Sequence, residues 1–145
     1  MARRSSVWIL LHVVWSTASR QRLLLPAADA AIGAILAERG RAAGCHVLAV
    51  GCASDHVHAM VFLSSHIAVA RAVQHLKGGA ARAVNVQPLL PRQLAWQTGY
   101  WVESVSPADL QPVRRYVLSQ RTHHDNSHPA EQWQLAQQDP DSKLP

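Results

Sequence analysis

Cysteine is scarce in this chain: Cys45 and Cys52 are the only two. Two thiols cannot build a disulfide framework, and they do not form a CxxC pair. Seven residues apart in one apparent strand, they are expected on opposite faces, as reduced core thiols of a cytoplasmic protein. Long apolar runs are also lacking. No stretch approaches the ~20 residues of a membrane span, which excludes a membrane-spanning reading. Charged residues make up only 16% of the chain against 48% hydrophobic, a balance that excludes wholesale disorder. Acidic residues are the rarer sign, 9 against 14 Lys and Arg, for a net charge of +5 and a pI near 10.0. That surplus suits a polyanionic partner. No internal repeat or second domain is visible in the 145 residues.

The N-terminal Arg3-Arg4 followed by an apolar run has the outline of a signal peptide. However, the run Val7–Trp15 is β-branched and holds a histidine and two tryptophans, so it reads as a buried strand. A helix is expected from Pro26 to about residue 41, with Ile32, Ile35 and Leu36 on one stripe. Strands at 45–52 and 56–63 follow, close enough for a hairpin. A second helix covers 66–84 and contains Lys77-Gly78-Gly79, where two glycines imply a close approach, a bend or a break. A last strand at 99–105 leads into a final helix that opens on Ser106 and Asp109, spaced as a capping box. Its dependable part is 112–122. Residues 1–124 therefore form one α+β domain, a ferredoxin-like antiparallel sheet with helices on one face plus an extra C-terminal helix. Residues 125–145 are polar and proline-bearing and read as a loose tail.

Two clusters carry chemistry. On the third strand, His56-Val57-His58 places two imidazoles on one face, about 7 Å apart along the strand, able to grip one metal ion from one side. On the final helix, Tyr116 and Gln120 are four apart and so neighbours, among Arg114, Arg115 and Arg121. A divalent ion on His56, His58 and an oxygen such as that of Gln120 would serve as Lewis acid and template for a phosphodiester. Tyr116 would be the nucleophile, yielding a phosphotyrosine that keeps the bond energy for rejoining. Each residue alone has a blander reading: a core aromatic, an exposed glutamine, solvated charge. Only their combination points to a site.

The combination resembles a family. His56-Val57-His58 has the form of the HUH motif, and Arg114-Arg115-Tyr116-Val117-Leu118-Ser119-Gln120 is similar to the catalytic helix of the single-tyrosine HUH transposases of small bacterial insertion sequences (IS200-like), with the transposases associated with repetitive extragenic palindromes as relatives. Further landmarks stand in the same order: His12-Val13-Val14-Trp15-Ser16-Thr17, Asp55 before the pair, Leu76-Lys77-Gly78, and Gly99-Tyr100-Trp101-Val102. The resemblance runs from about residue 7 to 124. It implies a metal-dependent single-stranded DNA endonuclease and strand transferase, using Mg²⁺ or Mn²⁺ on His56, His58 and Gln120. It further implies a 5′-phosphotyrosine at Tyr116 and recognition of hairpin-bearing ends. Lys77, Arg114, Arg115 and Arg121 are then candidate DNA contacts. It also implies a cytoplasmic homodimer, in which Tyr116 can serve the histidine pair of the other subunit. His123 and His124 stay open as alternative third ligands. Rival readings are a domesticated protein that binds hairpins without cutting, an RNA-binding sheet of the RRM type, and a replication-initiator nickase, whose chains are usually longer.

Overall fold

Hydrophobic alternation places the strands. β1 (Leu10–Ser16) is buried along its whole length and pairs on both sides. β2 (Cys45–Cys52) and β3 (His56–Leu63) form the expected antiparallel hairpin, closed by the Ala53 N–H on the His56 carbonyl at 2.9 Å. β4 (Trp101–Ser104) completes a sheet of order β2-β3-β1-β4, antiparallel throughout. This is the ferredoxin-like α+β arrangement, in which β1 and β2 are kept apart by the inserted β3. The computed structural model describes residues 5–122 and 128–136.

On one face lie α1 (Asp29–Ala42) and α2 (Val69–Asn85), packed over Val13, Trp15, Val57, Ala59 and Val61 through Ile32, Leu36, Val73 and Leu76. Burying each such side chain contributes about 1.5–3 kcal/mol, so this layer is the main source of stability. α2 runs through Gly78 and Gly79 without a break. The reason is local: Gly79 leaves room for the Arg39 side chain of α1, whose Cδ would lie 2.7 Å from a Cβ there. On the opposite face, α3 (Leu110–Leu118) sets Leu110, Val113 and Val117 against Leu10, Ala49, Met60 and Val105. Among the described residues, no helix is long and apolar enough to cross a membrane.

Three expectations need correction. A register shift between Val47 and Ala49 inserts one extra residue in β2, so Cys45 and Cys52 share the same core cluster instead of facing apart. Both are free thiols, and burial pushes the Cys52 thiol up to about 12. Ser106 donates its hydroxyl to the Asp109 carboxylate at 3.0 Å and makes no side-chain cap on the backbone. The third correction concerns the stretch read as a loose tail. Pro129–Ala136 within it is a helix, α4, whose Ala130, Glu131 and Gln134 are buried.

Candidate active site

Period-two alternation on β3 turns Val57, Ala59 and Val61 toward α1 and α2, and so turns His56, His58 and Met60 toward α3. Both imidazoles are buried, His56 at 3% and His58 at 0% exposure. Each has its Nδ1 occupied. Asp55 Oδ1 lies 2.8 Å from Nδ1 of His56, and His12 Nε2 lies 2.9 Å from Nδ1 of His58. Asp55 is itself held by Arg20 Nε at 3.1 Å. Both histidines therefore present Nε2 to the site, the orientation that partners behind a metal-ligating histidine enforce.

The two Nε2 atoms converge on one carboxylate oxygen. Glu131 Oε1 lies 3.0 Å from Nε2 of His58 and 3.5 Å from Nε2 of His56. The Tyr116 hydroxyl donates to the same oxygen at 2.7 Å. Tyr116 is placed by its neighbour Val117, which is fully buried under α3, and its ring meets His58 edge-on at 5.3 Å. His128 stacks on the other contact surface of that ring, 4.3 Å away and 13° from parallel. Tyr116 thus lies against the histidine pair of its own chain.

Gln120 follows α3 and is buried. Its Nε2 donates to the Tyr116 carbonyl at 3.0 Å, while its Oε1 accepts no hydrogen bond. A buried amide oxygen without a donor suits a cation ligand. The Gln120 Cγ and the Val117 carbonyl rest on Gly51, the β2 residue paired with His58. Two imidazole nitrogens oriented from behind suit a divalent ion, and the buried amide oxygen of Gln120 is a donor of a type that could add to them.

Electrostatics separate the two histidines. Burial drives His58 down to about 4, outweighing the contribution of Glu131, so it is neutral and ready to ligate near pH 7. Burial lowers His56 too, but Asp55 and Glu131 outweigh it and the net shift is upward. Burial opposes ionisation of Glu131, yet hydrogen bonds from His56, His58 and Tyr116 dominate and hold it far below the usual carboxylate range. His12 is pushed down to about 2 by burial and by His58.

The candidate DNA contacts divide. Arg114 and Arg115 are exposed on α3. Arg121 instead clamps Asp29 through two hydrogen bonds, at 3.1 and 2.7 Å, and donates to the Leu24 carbonyl at 2.7 Å, tying the end of α3 to the start of α1. Lys77 Nζ donates to the carbonyls of Gln97 and Gly99, both at 2.9 Å, and so pins the loop before β4. His123 and His124 lie outside the described residues. Sequence reasoning missed Glu131 and the backing role of His12. His12 stood within a landmark segment, whereas Glu131 sat in the supposed tail.

The sequence profile of the IS200-like transposases matches residues 5–120. The chain belongs to this family. The ISDra2 transposase TnpA of Deinococcus radiodurans is 26% identical over 114 residues, covering 75% of this chain and 81% of the relative. A solved transposase from Deinococcus radiodurans R1 superposes with a TM-score of 0.63 at 22% identity, over 85% of this chain and 98% of the other. A REP-associated tyrosine transposase, solved bound to a REP hairpin, gives a TM-score of 0.54 at 13% identity, over 81% and 70%. Both structures share the fold. This member of the IS200-like transposases is accordingly a DNA-cleaving and rejoining enzyme.

Proposed function

We propose that this transposase is a metal-dependent endonuclease and strand transferase of single-stranded DNA, acting at hairpin-bearing ends through a 5′-phosphotyrosine at Tyr116. The observation that carries the reading is the convergence of His56 Nε2, His58 Nε2 and the Tyr116 hydroxyl on one buried point. His56, His58 and Gln120 would hold the ion, Mg²⁺ or Mn²⁺, and when bound it supplies Lewis-acid polarisation of the scissile phosphate. Tyr116 loses its phenolic proton, its oxygen bonds to phosphorus, and the 3′-oxygen leaves and is protonated. The number of phosphodiester-type bonds is conserved, so the reverse step rejoins strands without ATP. Arg114 and Arg115, exposed on α3 next to the tyrosine in sequence, would meet phosphates of the strand. The hairpin-bound relative supports hairpin ends as substrate. The contact of Tyr116 with His58 within one chain supports a site that works in cis, and a homodimer of such chains would join two complete sites in the cytoplasm.

The test is a hairpin-bearing single strand from DNA flanking the gene, labelled at its 3′ end and incubated with the protein and Mn²⁺. A covalent protein–DNA adduct on a denaturing gel is expected. Hairpin binding without any adduct across the flanking strands would favour a binding-only protein.

The backing of His56 makes a separate prediction. Asp55→Ala frees Nδ1 and lets the ring turn, so Mn²⁺ binding measured by calorimetry is expected to weaken about 10- to 100-fold. Unchanged affinity would show that Asp55 does not orient the ligand.

A further inference from the structure

Among the described residues, Glu131 is the one charged side chain shown touching His56, His58 and Tyr116 together, and it comes from a helix outside the stretch that resembles the family. It is 2% exposed, and α4 is docked to present it. Gln134, one turn on, receives the Ser16 hydroxyl on its Oε1 at 2.6 Å. The Arg20 guanidinium donates to that same oxygen and to the Gln134 carbonyl, the latter at 3.0 Å. Arg20 also holds Asp55, so one residue links the helix carrying Glu131 to the backing of His56.

The distances match those between ligands sharing an ion. Two donors each about 2.1 Å from one ion lie about 3.0 Å apart on an octahedral edge and about 3.4 Å apart on a tetrahedral one. Glu131 Oε1 stands 3.0 Å and 3.5 Å from the two Nε2 atoms. Hard cations such as Mg²⁺ prefer anionic oxygen, which two imidazoles and an amide do not provide.

We propose that Glu131 is a metal ligand of this site, completing with His56 and His58 a two-histidine, one-carboxylate centre supplied by a single chain. The proposal rests on the metal-dependent reading above and adds to it an anionic donor from α4. Because the Tyr116 hydroxyl is bonded to the same oxygen, the carboxylate also fixes the nucleophile at the edge of the ion site.

Calorimetric titration of Mn²⁺ into the full chain tests it, beside the thermal unfolding midpoint with and without Mn²⁺. Glu131→Gln keeps shape but removes charge, and is expected to weaken Mn²⁺ binding about tenfold or more, with loss of most of the midpoint rise caused by the ion. Glu131→Asp, a second variant that retains the charge, is expected to fall between the two. Binding that is unchanged or tighter in both variants would overturn the proposal and make Glu131 an occupant that the ion must displace. Failure of the underlying reading looks different: wild type and His56→Ala/His58→Ala would then bind Mn²⁺ equally.

Discussion

Tyr116→Phe is expected to abolish the covalent adduct while leaving hairpin binding and the fold in place. The substitution removes one oxygen and keeps the ring. The stack on His128 at 4.3 Å and the edge contact with His58 at 5.3 Å both survive it. The hydrogen bond to Glu131 is lost, a change of about 1.5–3 kcal/mol for a bond to a charged group. The cost should fall toward the low end, since His58 still faces that oxygen at 3.0 Å. Chemistry has no such reserve. A nucleophile is not replaceable by its neighbours, and its loss lowers rates by on the order of a thousandfold or more. Water attacking in its place would release a nicked strand with no protein attached. The gel therefore distinguishes loss of nucleophile from loss of binding. An adduct that persists at wild-type level would remove Tyr116 from the role.

Much of this arrangement is legible in the sequence. His56 and His58 share a face because a strand has period two. Tyr116 and Gln120 are expected to adjoin because a helix has a period near 3.6. The strand rule holds. However, α3 ends at Leu118, short of the expected 122, and Gln120 lies in the turn beyond it and reaches Tyr116 through its side-chain bond to the Tyr116 carbonyl. What escaped were features fixed by partners distant in sequence. The extra residue between Val47 and Ala49 reverses the parity of β2 and turns Cys52 to the same core face as Cys45, which no spacing rule anticipates. Arg121 and Lys77 read as free cations because sequence does not reveal that Asp29 or the carbonyls of Gln97 and Gly99 lie within reach. The deepest omission was α4. Its buried residues include Ala130 together with Glu131 and Gln134, the last two held by Arg20, Ser16, the histidine pair and Tyr116. A helix docked by hydrogen bonds carries no apolar stripe, so hydrophobic periodicity reports it as tail.

Two glycines are expected to respond in opposite ways to the same substitution, and the larger response bears on the site. A Cβ on Gly51 would overlap the backbone carbonyl of Val117 and come within 3.2 Å of Gln120 Cγ. A side chain could rotate away; a helix carbonyl cannot. Gly51→Ala must therefore lift α3 from β2, with a cost of about 3 kcal/mol for overpacking against rigid structure. At this chain length, that lowers the unfolding midpoint by on the order of 10 °C. The displaced segment carries Tyr116 and leads into Gln120, and a shift of about 1 Å in such groups can reduce a rate about 100-fold. Adduct formation should drop by that order although every ionisable and nucleophilic group is retained. Gly78→Ala is the counterpart. Nothing lies within 4 Å of its added Cβ, and its helical backbone favours alanine by about 1 kcal/mol. That variant should melt higher and form adduct normally. Wild-type adduct formation and midpoint in Gly51→Ala would mean that α3 does not rest on β2 at this residue, and with it the placement of Tyr116 beside the histidine pair would fail.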